Sequence, residues 1–130
     1  MPDKITLILP LPPSDLSPNV RLHHMQKAKA ARQYRQDCSW CGFAEIFAWK
    51  MDEDWGSARV RMTETYRIAG RRKRDVRNLF AAFKAGEDGL VDAGILPGDD
   101  DSVLEHGSPR IVRVSGKKDE GVLVEIEEIT

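Results

Sequence analysis

Ser57-Ala58-Arg59-Val60-Arg61-Met62-Thr63-Glu64-Thr65-Tyr66-Arg67 is the stretch from which the rest of the fold can be worked out. Ala58, Val60, Met62 and Tyr66 share one parity; Arg59, Arg61, Thr63, Thr65 and Arg67 share the other. Neighbouring side chains of a strand point to opposite faces, so this alternation predicts a strand with one apolar face. Glu64 alone breaks the apolar parity. Upstream, Ile5 to Leu9 is a short β-type run ended by Pro10 and Pro12-Pro13, and Ser14 to Asn19 is a loop. A long helix is predicted from about Leu22 to Phe47, with Met25, Ala28, Ala31, Tyr34, Cys38, Cys41 and Ile46 at near-helical spacing and Gly42 as its weak point. Gly56 punctuates the junction to the strand.

Downstream, Ile68-Ala69-Gly70 and the basic run Arg71-Arg72-Lys73-Arg74 predict a loop. Asp75 can cap a helix from about Val76 to Val91 or Asp92, whose apolar side is Leu79, Phe80, Phe83 and Leu90. Gly86 and Gly89 weaken it, which predicts a kink or close packing, and Ala93-Gly94 ends it. Ile95-Leu96-Pro97-Gly98 is a turn-like link into the acidic patch Asp99-Asp100-Asp101. Strands at Arg110 to Val114 and Val122 to Ile126 or Ile129, joined by Ser115-Gly116-Lys117-Lys118, read as a hairpin. The order β-α-β-α-β-β implies an α/β fold, a small mixed β-sheet packed with two main helices. A chain of 130 residues fits one domain, with a core small enough that a partner subunit would help to stabilise it.

Hydrophobic residues at 41% and charged residues at 32% fit a globular protein, not a disordered one. The net charge is −1, so the total does not announce a polyanion partner, but its distribution does. Arg21, Lys27, Lys29, Arg32 and Arg35 follow one another without an acid. Between Arg67 and Arg77 there are six cations and one acid; between Glu87 and Glu105 there are seven acids and no cation. A metal-dependent nuclease needs this separation, because cations offset phosphate charge while acids hold the ion. Ordinary mixed surface charge is the competing explanation. No run approaches membrane-spanning length and Met1-Pro2-Asp3-Lys4 has no signal-peptide pattern, so a cytoplasmic protein is expected. Cys38 and Cys41 form a lone Cys-x-x-Cys inside the helical pattern, better read as two small helix residues than as a zinc or redox motif.

Asp75 and either Asp99 or Asp100 could supply carboxylates to a metal ion from loops at the two ends of the second helical region. Arg77, Ala81, Lys84 and Asp88 share a helical face. A purely structural alternative uses the same residues as a helix cap, a Lys84–Asp88 surface pair and a solvated acidic loop. His23 and His24, adjacent on a helix, point about 100° apart and are better suited to a helix start or a DNA backbone than to one ion. Trp40, Trp49 and Trp55 are too scattered for a base-stacking platform, and core or dimer packing is their default.

Arg74-Asp75-Val76-Arg77-Asn78-Leu79, Ala82-Phe83-Lys84, Asp88-Gly89-Leu90-Val91-Asp92-Ala93-Gly94-Ile95-Leu96 and the acidic pair that follows resemble the RusA-type Holliday-junction resolvases (crossover junction endodeoxyribonucleases), especially their phage-borne branch. Leu16-Ser17-Pro18-Asn19-Val20-Arg21-Leu22-His23, followed by Lys27-Ala28-Lys29-Ala30, is similar to the N-terminal segment of the same family. The resemblance implies a RusA-like fold, a homodimer acting on four-way or otherwise branched DNA in recombination and repair, Mg²⁺ or Mn²⁺ as cofactor, and a bacterial or phage origin. It places Asp75 on the family's first metal-binding Asp, Lys84 on the catalytic or phosphate-binding Lys and Asp88 on the acid that opens Asp-Gly-Leu. Asp99 falls on the late acidic pair in one register, and Asp99 with Asp100 in the other. Asn19, Arg21, His23, Lys27, Lys29, Arg71, Arg72, Lys73, Arg74 and Asn78 are implied as DNA contacts.

One position departs from the family. Arg77 stands where the resemblance implies a second metal-binding Asp. A guanidinium has no lone pair to give and carries a permanent charge. It is expected to repel the ion, to pair with Asp75 or Asp99 in its place, or to contact the scissile phosphate. Asp88 or Asp100 is the remaining source of a replacement ligand. The alternatives that follow are a junction-binding protein with impaired chemistry and, from another class, a small α/β protein with no nucleic-acid role.

Overall fold

The computed structural model describes residues 4–21, 23–49 and 59–129. Leu22, Trp55, Gly56 and the first two residues of the expected central strand, Ser57 and Ala58, lie outside them. The elements are β1 (Lys4–Leu9), α1 (His24–Trp49), β2 (Arg59–Ala69), α2 (Val76–Ala82), α3 (Lys84–Asp92), β3 (Leu104–His106), β4 (Arg110–Val114) and β5 (Gly121–Ile129). They form a mixed α/β structure with a five-stranded sheet. β2 is central: β5 pairs with it antiparallel on one side, and β3 and then β4 pair with it parallel on the other. β1 completes the sheet, antiparallel to β5.

The alternation of β2 works as expected. Val60, Met62, Tyr66 and Ile68 are buried on one face, together with Ile5, Leu7 and Leu9 of β1 and Val122, Val124 and Ile126 of β5. The helices cover this face with Tyr34, Cys38, Leu79, Phe83, Leu90 and Ile95 in one continuous core. On the other face cross-strand ion pairs join Lys4 to Glu125 at 2.5 Å and Arg61 to Glu105 and Glu127. A sheet with one covered face keeps its hydrophobic and polar sets apart in this way.

Four expectations need correcting. Ile68 and Ala69 are not loop: they continue β2, because β4 pairs with them in parallel. β4 and β5 are not a hairpin, since β2 lies between them and each uses a different edge of it. β3 has no counterpart in the expected order; three residues are too few to show a period, and it exists because Val60, Arg61 and Met62 offer it a free edge. The helix after Asp75 is two helices joined at Phe83, whose side chain is buried edge-on between Tyr34 and Tyr66.

The glycines of α3 pack closely. A Cβ on Gly89 would lie 2.3 Å from the Arg35 carbonyl oxygen and 3.0 Å from the Ser39 nitrogen, so α1 and α3 touch backbone to backbone there. Gly94, at φ +83°, ends α3 in the left-handed conformation that glycine adopts without strain. Cys38 is buried and Cys41 half-buried in α1, both as free thiols, and burial pushes the Cys38 thiol up to about 12. Trp40 is not a core residue; it is 66% exposed beside Phe43. No helix among the described residues is long and apolar enough to cross a membrane.

Candidate metal centre and basic cleft

Asp75 starts α2 as expected. Its Oδ1 accepts the backbone N–H of Arg77 at 2.8 Å, satisfying one of the donors a helix leaves unpaired at its first turn. Eight residues later the chain breaks at Phe83, and α3 opens with Lys84. The side chains at i, i+3 and i+4 then lie on one face, so Glu87 and Asp88 both reach the lysine. Lys84 Nζ donates to Glu87 Oε2 at 3.0 Å, to Asp88 Oδ1 at 3.0 Å and, across the loop after α3, to Asp99 Oδ2 at 2.7 Å. Burial alone would lower the Lys84 pKa, but the three carboxylates outweigh it and raise it. The ammonium in turn holds Asp99 below the usual carboxylate range.

One oxygen from each of Glu87, Asp88 and Asp99 lies within 4.8 Å of the other two, so these acids could hold a metal ion. Among the described residues no other trio of His, Cys, Asp or Glu comes together so closely. Asp99 is therefore the acid of the patch that faces the site. Asp100 turns into its own loop, where its Oδ1 accepts the Ser102 backbone N–H at 2.9 Å and the Ser102 hydroxyl. Asp101 is exposed. Asp75 is not a member of the trio, and Arg77 meets Asp75 through its backbone N–H, its guanidinium pairing with neither Asp75 nor Asp99. The Lys84 ammonium, not the Arg77 guanidinium, pairs with Asp99, and Arg77 is exposed in the first turn of α2.

Asp75 instead lines a broad cleft of about 860 Å³. Its walls are Pro12, Pro13, Ser14, Ser17 and Asn19 from the segment after β1, and Arg72, Lys73, Arg74 and Asn78 from the other side. Two stretches far apart in sequence thus meet, and Asn19, Arg72, Lys73, Arg74 and Asn78, among the expected DNA contacts, line the same cleft. Arg21, His23, Lys29 and Arg71 are exposed and Lys27 half-buried, all outside the cleft lining. His23 acts at the helix start: its Nδ1 accepts the Met25 backbone N–H at 3.2 Å, and its ring stacks on His24 at 4.4 Å.

A smaller cleft of about 280 Å³ opens beside the acids, lined by Glu64, Phe80, Phe83, Lys84, Glu87 and His106, among others. Glu87 is 5% exposed, and its Oε1 lies 2.5 Å from His106 Nε2. Glu64, the residue that broke the parity of β2, is 1% exposed and lines the same cleft. Burial first, and the nearby Glu87 charge second, push its carboxyl up to about 8. Sequence reasoning missed Glu64, Glu87 and His106 as site residues. The parity break was the signal for Glu64, and the Lys84-x-x-Glu87 spacing was the signal for Glu87. His106 ends a strand that local periodicity cannot show.

No protein-family model matches the chain. It is similar to an uncharacterized protein of Xylella fastidiosa, 33% identical over 107 residues that make up 78% of this chain and 63% of that protein. The chain thus spans less than two thirds of that relative's length.

Proposed function

We propose that the chain is a RusA-type, metal-dependent endodeoxyribonuclease that resolves Holliday junctions or other branched DNA, as a homodimer with Mg²⁺ or Mn²⁺. The observation that carries this reading is the convergence of Glu87, Asp88 and Asp99 on the Lys84 ammonium. Three carboxylates repel one another unless a cation sits among them. Magnesium takes oxygen ligands and keeps several waters, so these three side chains suffice to bind it. When bound, the ion supplies an activated water and charge for the leaving oxygen. Lys84, released from the acids, stands where it can pair with the scissile phosphate. Arg72, Lys73, Arg74, Asn19 and Asn78 grip the strand along the basic cleft. Asp75 keeps the start of α2 in place beside that strand. A twofold pair of such chains presents two sites, as two symmetric cuts across a junction require.

A second reading keeps the DNA grip and gives up the chemistry. Two observations favour it: an exposed Arg77 where the family resemblance implies an acid, and a lysine already neutralising the acidic trio. Labelled four-way junction with Mg²⁺, and separately Mn²⁺, separates the two readings when the chain is compared with Arg77→Asp and binding is followed in EDTA. Cutting by the unmodified chain supports the nuclease. Cutting by Arg77→Asp alone makes this chain the binding form. If neither variant binds or cuts the junction, both readings fall.

A further inference from the structure

The cleft behind the acidic trio holds ligand groups that the trio does not use. Glu64 Oε2 is sealed from solvent and has no hydrogen-bond partner. Buried carboxylate oxygens normally have partners, and leaving one unpaired forfeits the hydrogen bonds it made to water. Protonation reduces the charge penalty but leaves that oxygen unpaired. Glu87 divides its carboxylate between two neighbours, with Oε2 on Lys84 and Oε1 on His106. Phe80 sets its ring edge-on to the His106 imidazole at 5.5 Å, and Phe83 forms part of the same wall. An imidazole nitrogen and two carboxylates around a small, largely apolar cleft are donors for a divalent ion that accepts nitrogen and oxygen together.

We infer that Glu64, Glu87 and His106 form an inner divalent-cation position, separate from the outer one at Glu87, Asp88 and Asp99, with Glu87 bridging the two. Glu64 is not among the three acids that converge within 4.8 Å of one another, so it joins the position by turning its carboxylate, whose Oε2 no partner holds. A carboxylate shared by both positions would hold two ions close together, as two-ion phosphoryl-transfer sites require. The nitrogen ligand makes manganese a better occupant than magnesium, which favours oxygen. This inference rests on the reading of the acidic trio as a metal site, but not on any activity toward DNA.

The test is a titration of the full chain, stripped with EDTA and exchanged into buffer, with Mn²⁺ alone and no DNA. Calorimetry counts the ions, and electron paramagnetic resonance reports their coupling and nitrogen ligation. The expected result is two Mn²⁺ per chain, magnetically coupled, with a nitrogen hyperfine signal that His106→Gln removes. Glu64→Gln, close in shape, is expected to leave the circular dichroism unchanged, lower the count to one and abolish the coupling. Asp99→Asn is expected to keep the nitrogen-ligated ion. A single ion without nitrogen coupling, or two ions retained in Glu64→Gln, overturns the inner position. A chain that cuts no DNA can still pass this test, and one that cuts with a single ion fails it, so the two claims fail separately.

Discussion

Glu64 is a carboxyl in a place built for an apolar side chain, and its cost depends on pH. Its folded pKa is raised from 4.5 to about 8 by burial and by Glu87. A raised acid contributes stability that is whole below the unfolded pKa and is lost as pH rises through the folded one. In EDTA, stability is therefore expected to fall between about pH 4.5 and pH 8, and Glu64→Gln to remove that fall. Near pH 5 the two proteins should melt together; at pH 9 the variant should be more stable by a few kcal/mol, to order of magnitude. Parallel melting curves at both pH values would contradict the burial of the charge. Asp75 separates cap from charge in the same way. Asp75→Ala is expected to cost ~1 kcal/mol in urea denaturation, whereas Asn caps as well as Asp and should leave stability unchanged. If Asp75→Asn also leaves junction cutting unchanged, Asp75 has no part in the chemistry.

Elements are placed by close approach as much as by pattern. α1 meets α3 through Gly89, where a methyl group would enter the Arg35 carbonyl. Gly89→Ala is expected to destabilise by ~1–3 kcal/mol, because overpacking forces the helices apart; an unchanged urea midpoint would show that the helices do not pack as described. Gly86 and Gly89 signalled this packing in the sequence, just as the parity of residues 59–67 signalled β2. What could not be read was pairing. β4 and β5 follow each other with a turn between them, the local signature of a hairpin, yet both pair with β2. For β5 the choice is made by burial, since Val122, Val124 and Ile126 extend the apolar face of β2; β4 has no buried residue and sets only Ile111 against the core, and no local pattern expresses either pairing. The break at Phe83 was hidden for the same reason, since its cause is the slot between Tyr34 and Tyr66.

At the scale of the molecule, charge is sorted by folding. The cations of residues 72–74 and the amide of Asn19 meet across one cleft, and the acids of α3 meet Asp99 at the end of the next loop. Lys84, Asp88 and Asp99 were singled out through the family resemblance, and the fold brings the three together. Glu87 and His106 were not, because one looked like surface charge and the other depended on an unseen strand. If the basic cleft grips phosphates, junction binding in EDTA weakens steeply with salt. Removing two cations, in Arg72→Ala with Arg74→Ala, should flatten the log–log slope by about two; an unchanged slope would exclude the cleft from the DNA path. The central claim is that Glu87, Asp88 and Asp99 hold the ion that cuts branched DNA. The measurement that reaches it most directly is cleavage of a labelled four-way junction by the chain and by Asp99→Asn, each with Mn²⁺ and Mg²⁺. The account predicts symmetric cutting by the chain and, for Asp99→Asn, loss of cutting with junction binding retained. No cutting by the chain, or cutting undiminished in Asp99→Asn, would contradict it.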